Sequence, residues 1–169
     1  MVQALASHHG PSYMRLTRNK VPAVHGPDFQ WRLGKAEVLR EGTDVALLAC
    51  GPMVAESLAA HDALAAEGIR ARVVNVSSIK PLDAPLVVQA ARECGAVVTA
   101  EDHNVLGGLG GAVSEVLGEQ WPVPIERVGV RDTFGESGTP AQLYEKYGLT
   151  AKHVAQAARR ALERKGGKR

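Results

Sequence analysis

The sequence predicts a doubly wound α/β fold: three layers, with helices on both faces of a mainly parallel sheet that carries one antiparallel edge strand. Three observations predict it. Short unbroken apolar runs alternate with helical stretches, so successive strands require crossover connections. Glycines close two of those helical stretches, at Gly68 and Gly95. The run at residues 96–100 leads into a glycine-rich turn, residues 107–111, that opens a further helical stretch.

The elements follow in order. Ala36-Glu37-Val38-Leu39, ahead of Gly42, reads as an extra strand at an edge, where an antiparallel direction is common. Val45-Ala46-Leu47-Leu48-Ala49-Cys50 is a buried strand ending at Gly51-Pro52, and the helix after it tolerates proline in its first turn. That helix spans residues 54–67, with Leu58, Leu64 and intervening alanines as its apolar face. A strand at 72–76 leads to the turn Lys80-Pro81-Leu82-Asp83, where Asp83 is placed to cap a helix running to Glu93. After the strand at 96–100 and the glycine turn, the pattern gives a helix at 112–117 and a strand at 124–130. Thr139 caps a helix that starts near Pro140 and reaches Lys146, and Thr150 caps the last helix, 151–164.

The first part of the chain differs. Residues 11–18 alternate like a strand, residues 2–9 read as the tail of a helix, and residues 19–34 carry prolines and glycines with no periodicity. The expected division is therefore 1–18 as the remnant of another domain, 19–34 as a linker and 35–169 as the α/β domain. With 169 residues, there is room for one such domain and not for a second catalytic one.

Composition narrows the function classes. Apolar residues make up 45% of the chain and aromatics 4%, which suits helices packed on a sheet and not a base-stacking surface. The net charge of +2 has its basic excess in Arg159, Arg160, Arg164, Lys165, Lys168 and Arg169, read as a solvated, fraying helix end. Neither a nucleic-acid partner nor a membrane is expected. Cys50 and Cys94 sit among small or apolar neighbours, indicating neither a disulfide framework nor a thiolate metal site. The N-terminus lacks the pattern of a signal peptide, so the expected location is the cytoplasm.

Chemistry concentrates at Glu101-Asp102-His103-Asn104-Val105-Leu106-Gly107-Gly108-Leu109-Gly110-Gly111, between a strand and a helix. Ligands of doubly wound sheets bind outside the carboxyl ends of strands, and helix N-termini offer free amides to anions. Glycines also let backbones approach closely with no ligand present. The spacing matches neither the dinucleotide fingerprint nor the phosphate loop of nucleoside triphosphatases. Glu101, Asp102 and His103 offer a proton-shuttling or metal-ligating set, but with no second ligand group the favoured role is to fix the turn by hydrogen bonds. His61 and His153 stand alone, and His8-His9 lies near a chain end. Ser114 and Ser137 lack a nucleophile-elbow context and Cys50 reads as core, so no catalytic residue and no metal ligand is assigned. The polar loop at 132–140, with Phe134, reads either as a cap for the next helix or as a docking surface. Arg15 and Arg18, three residues apart, have the planar fork that suits phosphate.

Several of these motifs, in this order, carry a resemblance. They are Pro11-Ser12-Tyr13-Met14-Arg15-Leu16-Thr17-Arg18, the run from Val45 to Gly51, Glu101-Asp102-His103 with Gly107-Gly108-Leu109-Gly110, and Phe134-Gly135-Glu136-Ser137-Gly138 leading to Tyr147-Gly148-Leu149. Together they resemble the C-terminal part of transketolase, especially the separate subunit found where that enzyme is encoded in two pieces. The resemblance implies a thiamine-diphosphate enzyme of the pentose phosphate pathway that moves two-carbon ketol units between sugar phosphates. It implies that thiamine diphosphate and Mg²⁺ belong to the complete enzyme, held by an N-terminal partner section, and that this third domain binds no cofactor. Residues 1–18 would then be the end of the pyrimidine-binding domain, and Arg18 a contact to the sugar phosphate. Glu101, Asp102, His103, Gly107, Gly108 and Gly110 become structural or interface residues, in a chain that forms homodimers and is inactive alone. Deoxyxylulose-phosphate synthase and the β subunit of 2-oxo acid dehydrogenases are alternatives in the same superfamily. A free-standing interaction or ligand-sensing module is an alternative outside it.

Overall fold

In the computed structural model, which describes residues 1–18 and 20–167, five short strands make one sheet: β1 (Glu37–Arg40), β2 (Val45–Ala49), β3 (Ala71–Asn75), β4 (Val97–Asn104) and β5 (Ile125–Val130). Their order is β1-β3-β2-β4-β5. β2 pairs in parallel with β3 and with β4, and β4 in parallel with β5, while β1 runs antiparallel on the outer side of β3. The predicted doubly wound sheet with one antiparallel edge is borne out.

The helices are α1 (Val2–Ala6), α2 (Met53–Ala65), α3 (Ala84–Cys94), α4 (Leu109–Gln120), α5 (Pro140–Lys146) and α6 (Ala151–Gly166). Because side chains alternate across a strand, β2 feeds two cores. Val45, Leu47 and Ala49 pack with Leu64 of α2 and Val154 and Ala158 of α6. Ala46 and Leu48 pack with Val87 and Ala91 of α3 and Val113 and Leu117 of α4. Every residue of β2 is buried, which is why it reads as a continuous apolar run.

The caps show where side chains redirect the expected pattern. Thr139 caps α5 through a capping box with Gln142, as the sequence predicts. Gly95 ends α3 in the left-handed conformation (φ 67°), also as predicted. Asp83 stands at the N-cap of α3, but its carboxylate accepts from the Ala36 amide (3.1 Å) and makes no side-chain cap. Thr150 likewise makes no cap to α6. Its hydroxyl meets His153 Nδ1 at 2.8 Å, and Glu56 of α2 accepts from the Ala151 amide instead (2.7 Å). α2 stops at Ala65, and the chain turns through Gly68, with the Ile69 amide donating to the Leu64 carbonyl.

The basic end of α6 is tied down rather than frayed. Arg159 pairs with Glu67, Arg160 and Arg164 with Glu126, and Lys165 donates to the Cys94 carbonyl at the end of α3 (2.7 Å). Lys168 and Arg169 lie outside the described residues, as does Asn19.

Residues 11–18 form no strand. A strand needs a neighbour for its ladder, and the five strands of the sheet pair only with one another. Residues 20–34 carry neither helix nor strand and pack at the carboxyl end of β3, beside the amino end of β1. Trp31 Nε1 donates to Ser77 Oγ (2.9 Å), the Gly34 amide to Ser78 Oγ (3.2 Å), and His25 stacks on Phe29 while bonding Asn75 (2.8 Å).

Candidate functional site

At the carboxyl end of the sheet, β4 continues four residues past the predicted strand end and carries Glu101, Asp102, His103 and Asn104 in extended conformation. α4 begins at Leu109, so Gly110 and Gly111 belong to its first turn and not to a loop. The strand extends because Asn104 still pairs with Val130 across a register shift, and the helix starts early because its free amides have an acceptor waiting.

That acceptor is Glu101. Its fully buried carboxylate accepts from the amides of Leu109 (2.7 Å) and Gly110 (2.9 Å). The N-terminus of α4, the expected place for a bound anion, therefore holds an anion of the chain's own making. Gly108 and Gly110 make the approach possible: a Cβ on Gly108 would stand 2.0 Å from Glu101 Oε2, and one on Gly110 3.0 Å from Oε1. Gly107 turns the chain ahead of them at φ 71°.

Charges alternate outward from Glu101. His103 Nε2 is 2.9 Å from Glu101 Oε2, and His103 Nδ1 is 3.6 Å from Asp102 Oδ1. Asp102 in turn receives both guanidinium nitrogens of Arg15, at 2.6 and 3.1 Å. Asp102 and Glu101 together raise the His103 pKa to about 9, so the ring is an imidazolium near neutrality. Burial opposes ionisation of Asp102, but His103 and Arg15 outweigh it and hold its pKa at about 2. At the end of β2, burial pushes the Cys50 thiol up to about 12, with Glu101 and Asp102 adding to the effect, so Cys50 is a neutral thiol.

The structure thus brings together Glu101, Asp102, His103, Gly107, Gly108 and Gly110, all singled out from the sequence. Arg15 joins them, although no spacing rule links it to a residue 87 positions away. Arg18 lies in an exposed bend outside this cluster. His61 bonds the Ala71 carbonyl (2.7 Å), and Ser114 bonds back to the Gly110 carbonyl (2.6 Å). Among the described residues, no three His, Cys, Asp or Glu side chains gather where a metal ion could be held. No helix there is long and apolar enough to cross a membrane. The loop at 132–139 is exposed, Phe134 almost completely (96%).

Comparison with known proteins gives these features a context. Residues 34–154 match the model of the transketolase C-terminal domain family. A 6-deoxy-6-sulfo-D-fructose transketolase subunit from Clostridium sp. (strain MSTE9) is 51% identical over 161 residues, covering 95% of this chain and 50% of the relative. The 1-deoxy-D-xylulose-5-phosphate synthase of Heliobacterium modesticaldum is 45% identical over 128 residues, 75% of this chain and 20% of that enzyme. Among solved structures, a split-gene transketolase described as an inactive β4 tetramer superposes with a TM-score of 0.94 at 53% identity, over 97% of this chain and 54% of the other. The transketolase of Leishmania mexicana, at 23% identity and a TM-score of 0.62 over 79% of this chain and 19% of that one, shares the fold. The chain spans about half the length of the transketolase subunit it matches, and less of the synthase.

Proposed function

This chain belongs to the transketolase C-terminal domain family, and from that premise we propose that it is the C-terminal section of a transketolase that transfers two-carbon ketol units between sugar phosphates. The observation that carries the reading is a likeness along 95% of this chain to a protein named as a transketolase subunit. Its role is assembly and architecture. A partner chain supplies the domains that hold thiamine diphosphate and Mg²⁺, and no step of the chemistry is assigned to side chains present here.

On this reading, the ridge of Glu101, Asp102, His103, Gly107, Gly108 and Gly110 is a structural and interface element, and Arg18 reaches the phosphate of the sugar substrate. Residues 1–18 are the end of the pyrimidine-binding domain and residues 19–34 the linker. The chain self-associates as a homodimer in the cytoplasm. The related split-gene chain, described as an inactive tetramer, supports self-association without activity, and makes the subunit number a quantity to measure.

Purified chain is expected to show no ketol transfer with thiamine diphosphate and Mg²⁺, and to support it once the thiamine-binding partner is added. Full activity from the isolated chain would overturn the proposal. A second reading, the matching domain of a deoxyxylulose-phosphate synthase, is favoured by synthase relatives at 38% to 45% identity. Decarboxylation of pyruvate by the reconstituted complex, without ketol transfer from sugar phosphates, would select it.

A further inference from the structure

β5 is an outer strand of the sheet, and an outer strand presents a row of backbone groups that another chain can pair with. Alternate residues of a strand turn their backbone groups to opposite sides. The Val97 amide donates to the Pro124 carbonyl (3.0 Å) and the Val105 amide to the Val130 carbonyl (3.0 Å), so Pro124, Glu126, Val128 and Val130 face β4. Ile125, Arg127 and Gly129 therefore face outward. That edge is closed by side chains. Arg164 Nη1, from α6, donates to the Ile125 carbonyl (2.9 Å), and Arg131 Nη2 reaches back to the Arg127 carbonyl (2.5 Å). Gly129 is buried. Glu126 holds Arg164 at its post (2.8 Å), whereas Arg131 forms no ion pair with a carboxylate among the described residues. At the opposite edge, β1 is only four residues long, shifts register between Val38 and Arg40, and has its Leu39 carbonyl met by Arg40 Nη1 (2.8 Å).

We propose that Arg131 and Arg164 guard the β5 edge: by occupying its outward carbonyls they keep a second copy of this chain from adding a strand to the sheet. The need for a guard comes from the strand itself. Ile125, Val128 and Val130 are β-branched, and with the outward row of backbone groups they make a template suited to the same strand of another copy. An incoming strand must break two charge-assisted hydrogen bonds and either bury or eject the guanidiniums that made them. Two β5 edges brought together would also set the guard arginines of one copy against those of the other, and like charges opposed across a strand pair repel. Self-association of the chain is thereby directed to other surfaces.

The test compares the full chain with Arg131→Ala, Arg164→Ala and the double variant by sedimentation equilibrium over a range of concentrations. Arg32→Ala combined with Lys152→Ala is the control, since it removes the same charge from exposed positions elsewhere. The double variant is expected to self-associate about tenfold more tightly than both the parent chain and the control. The amides of Ile125 and Arg127, which point to the free edge, are expected to exchange more slowly as its concentration rises. Arg131→Ala, which touches no carboxylate, is expected to do the same to a smaller degree, and it keeps the proposal testable should the loss of Arg164 from Glu126 disturb folding. Association no tighter than that of the control, or tighter association that leaves the exchange of those two amides unchanged, would overturn it. The outcome is independent of whether the chain serves a transketolase.

Discussion

A carboxylate removed completely from water is stable as an anion only when donors surround it, and Glu101 has the Leu109 amide, the Gly110 amide and His103 Nε2. Glu101→Ala leaves two helix amides and an imidazolium without their acceptor, and is expected to cost about 3–5 kcal/mol in urea unfolding. Gly108→Ala forces a methyl into the space of that carboxylate and is expected to cost about 1–3 kcal/mol. The pKa values give the pH dependence its sign. His103 is raised to about 9, so its contribution is complete below the ordinary value of 6.5 and is lost as pH rises from there through about 9. Asp102 is depressed to about 2, so its contribution is complete above 3.8 and is lost as pH falls from there toward about 2. Stability measured across pH should therefore decline between 6.5 and 9, and His103→Gln should flatten that decline. The members of this cluster were legible in the sequence as a charged triplet beside glycines. Their arrangement was not, because it depends on β4 continuing to Asn104 and on Arg15 arriving from a distant segment.

At the scale of elements, α6 shows how tertiary contacts replace a local cap. Thr150 occupies the N-cap position, the signal the sequence offers, but its hydroxyl is taken by His153 and the first amide of α6 is met by Glu56 from α2. That carboxylate also complements the positive end of the helix. Glu56→Ala is expected to cost about 1 kcal/mol, and Thr150→Ala less, a difference read from urea midpoints. At α5 the local signal is sufficient, because Thr139 and Gln142 form the complete capping box inside an exposed segment with no competing partner. The same contrast separates the strands. β2, β3 and β4 were legible as short buried apolar runs between turn signals, whereas residues 11–18 alternate like a strand and form none. Asp83 belongs with Thr150: its position was legible and its bond to Ala36 was not.

At the scale of the molecule, the α/β domain is a closed unit with two cores, and the segment before it is attached by side chains rather than by a sheet. Tyr13 and Leu16 are largely exposed (88% and 71%), so this segment buries little apolar surface against the domain. Between them, Arg15 crosses to β4 and meets Asp102, itself nearly buried, with both nitrogens of its fork. A bidentate pair with one buried partner holds better than an exposed ion pair, and here it joins the segment to the same charged series that ends on the amides of α4. Arg15→Ala should therefore loosen the segment without unfolding the domain. The expected outcome is lower backbone order by amide relaxation in residues 12–17, with β2 and β4 unchanged. Asp102→Asn tests the same link from the other side. It should loosen the segment similarly and, by removing a carboxylate beside His103, bring the pKa of that ring down from about 9, a change that a ring-proton titration would read. Backbone order that stays unchanged in both variants would mean that the segment is held by contacts other than this pair.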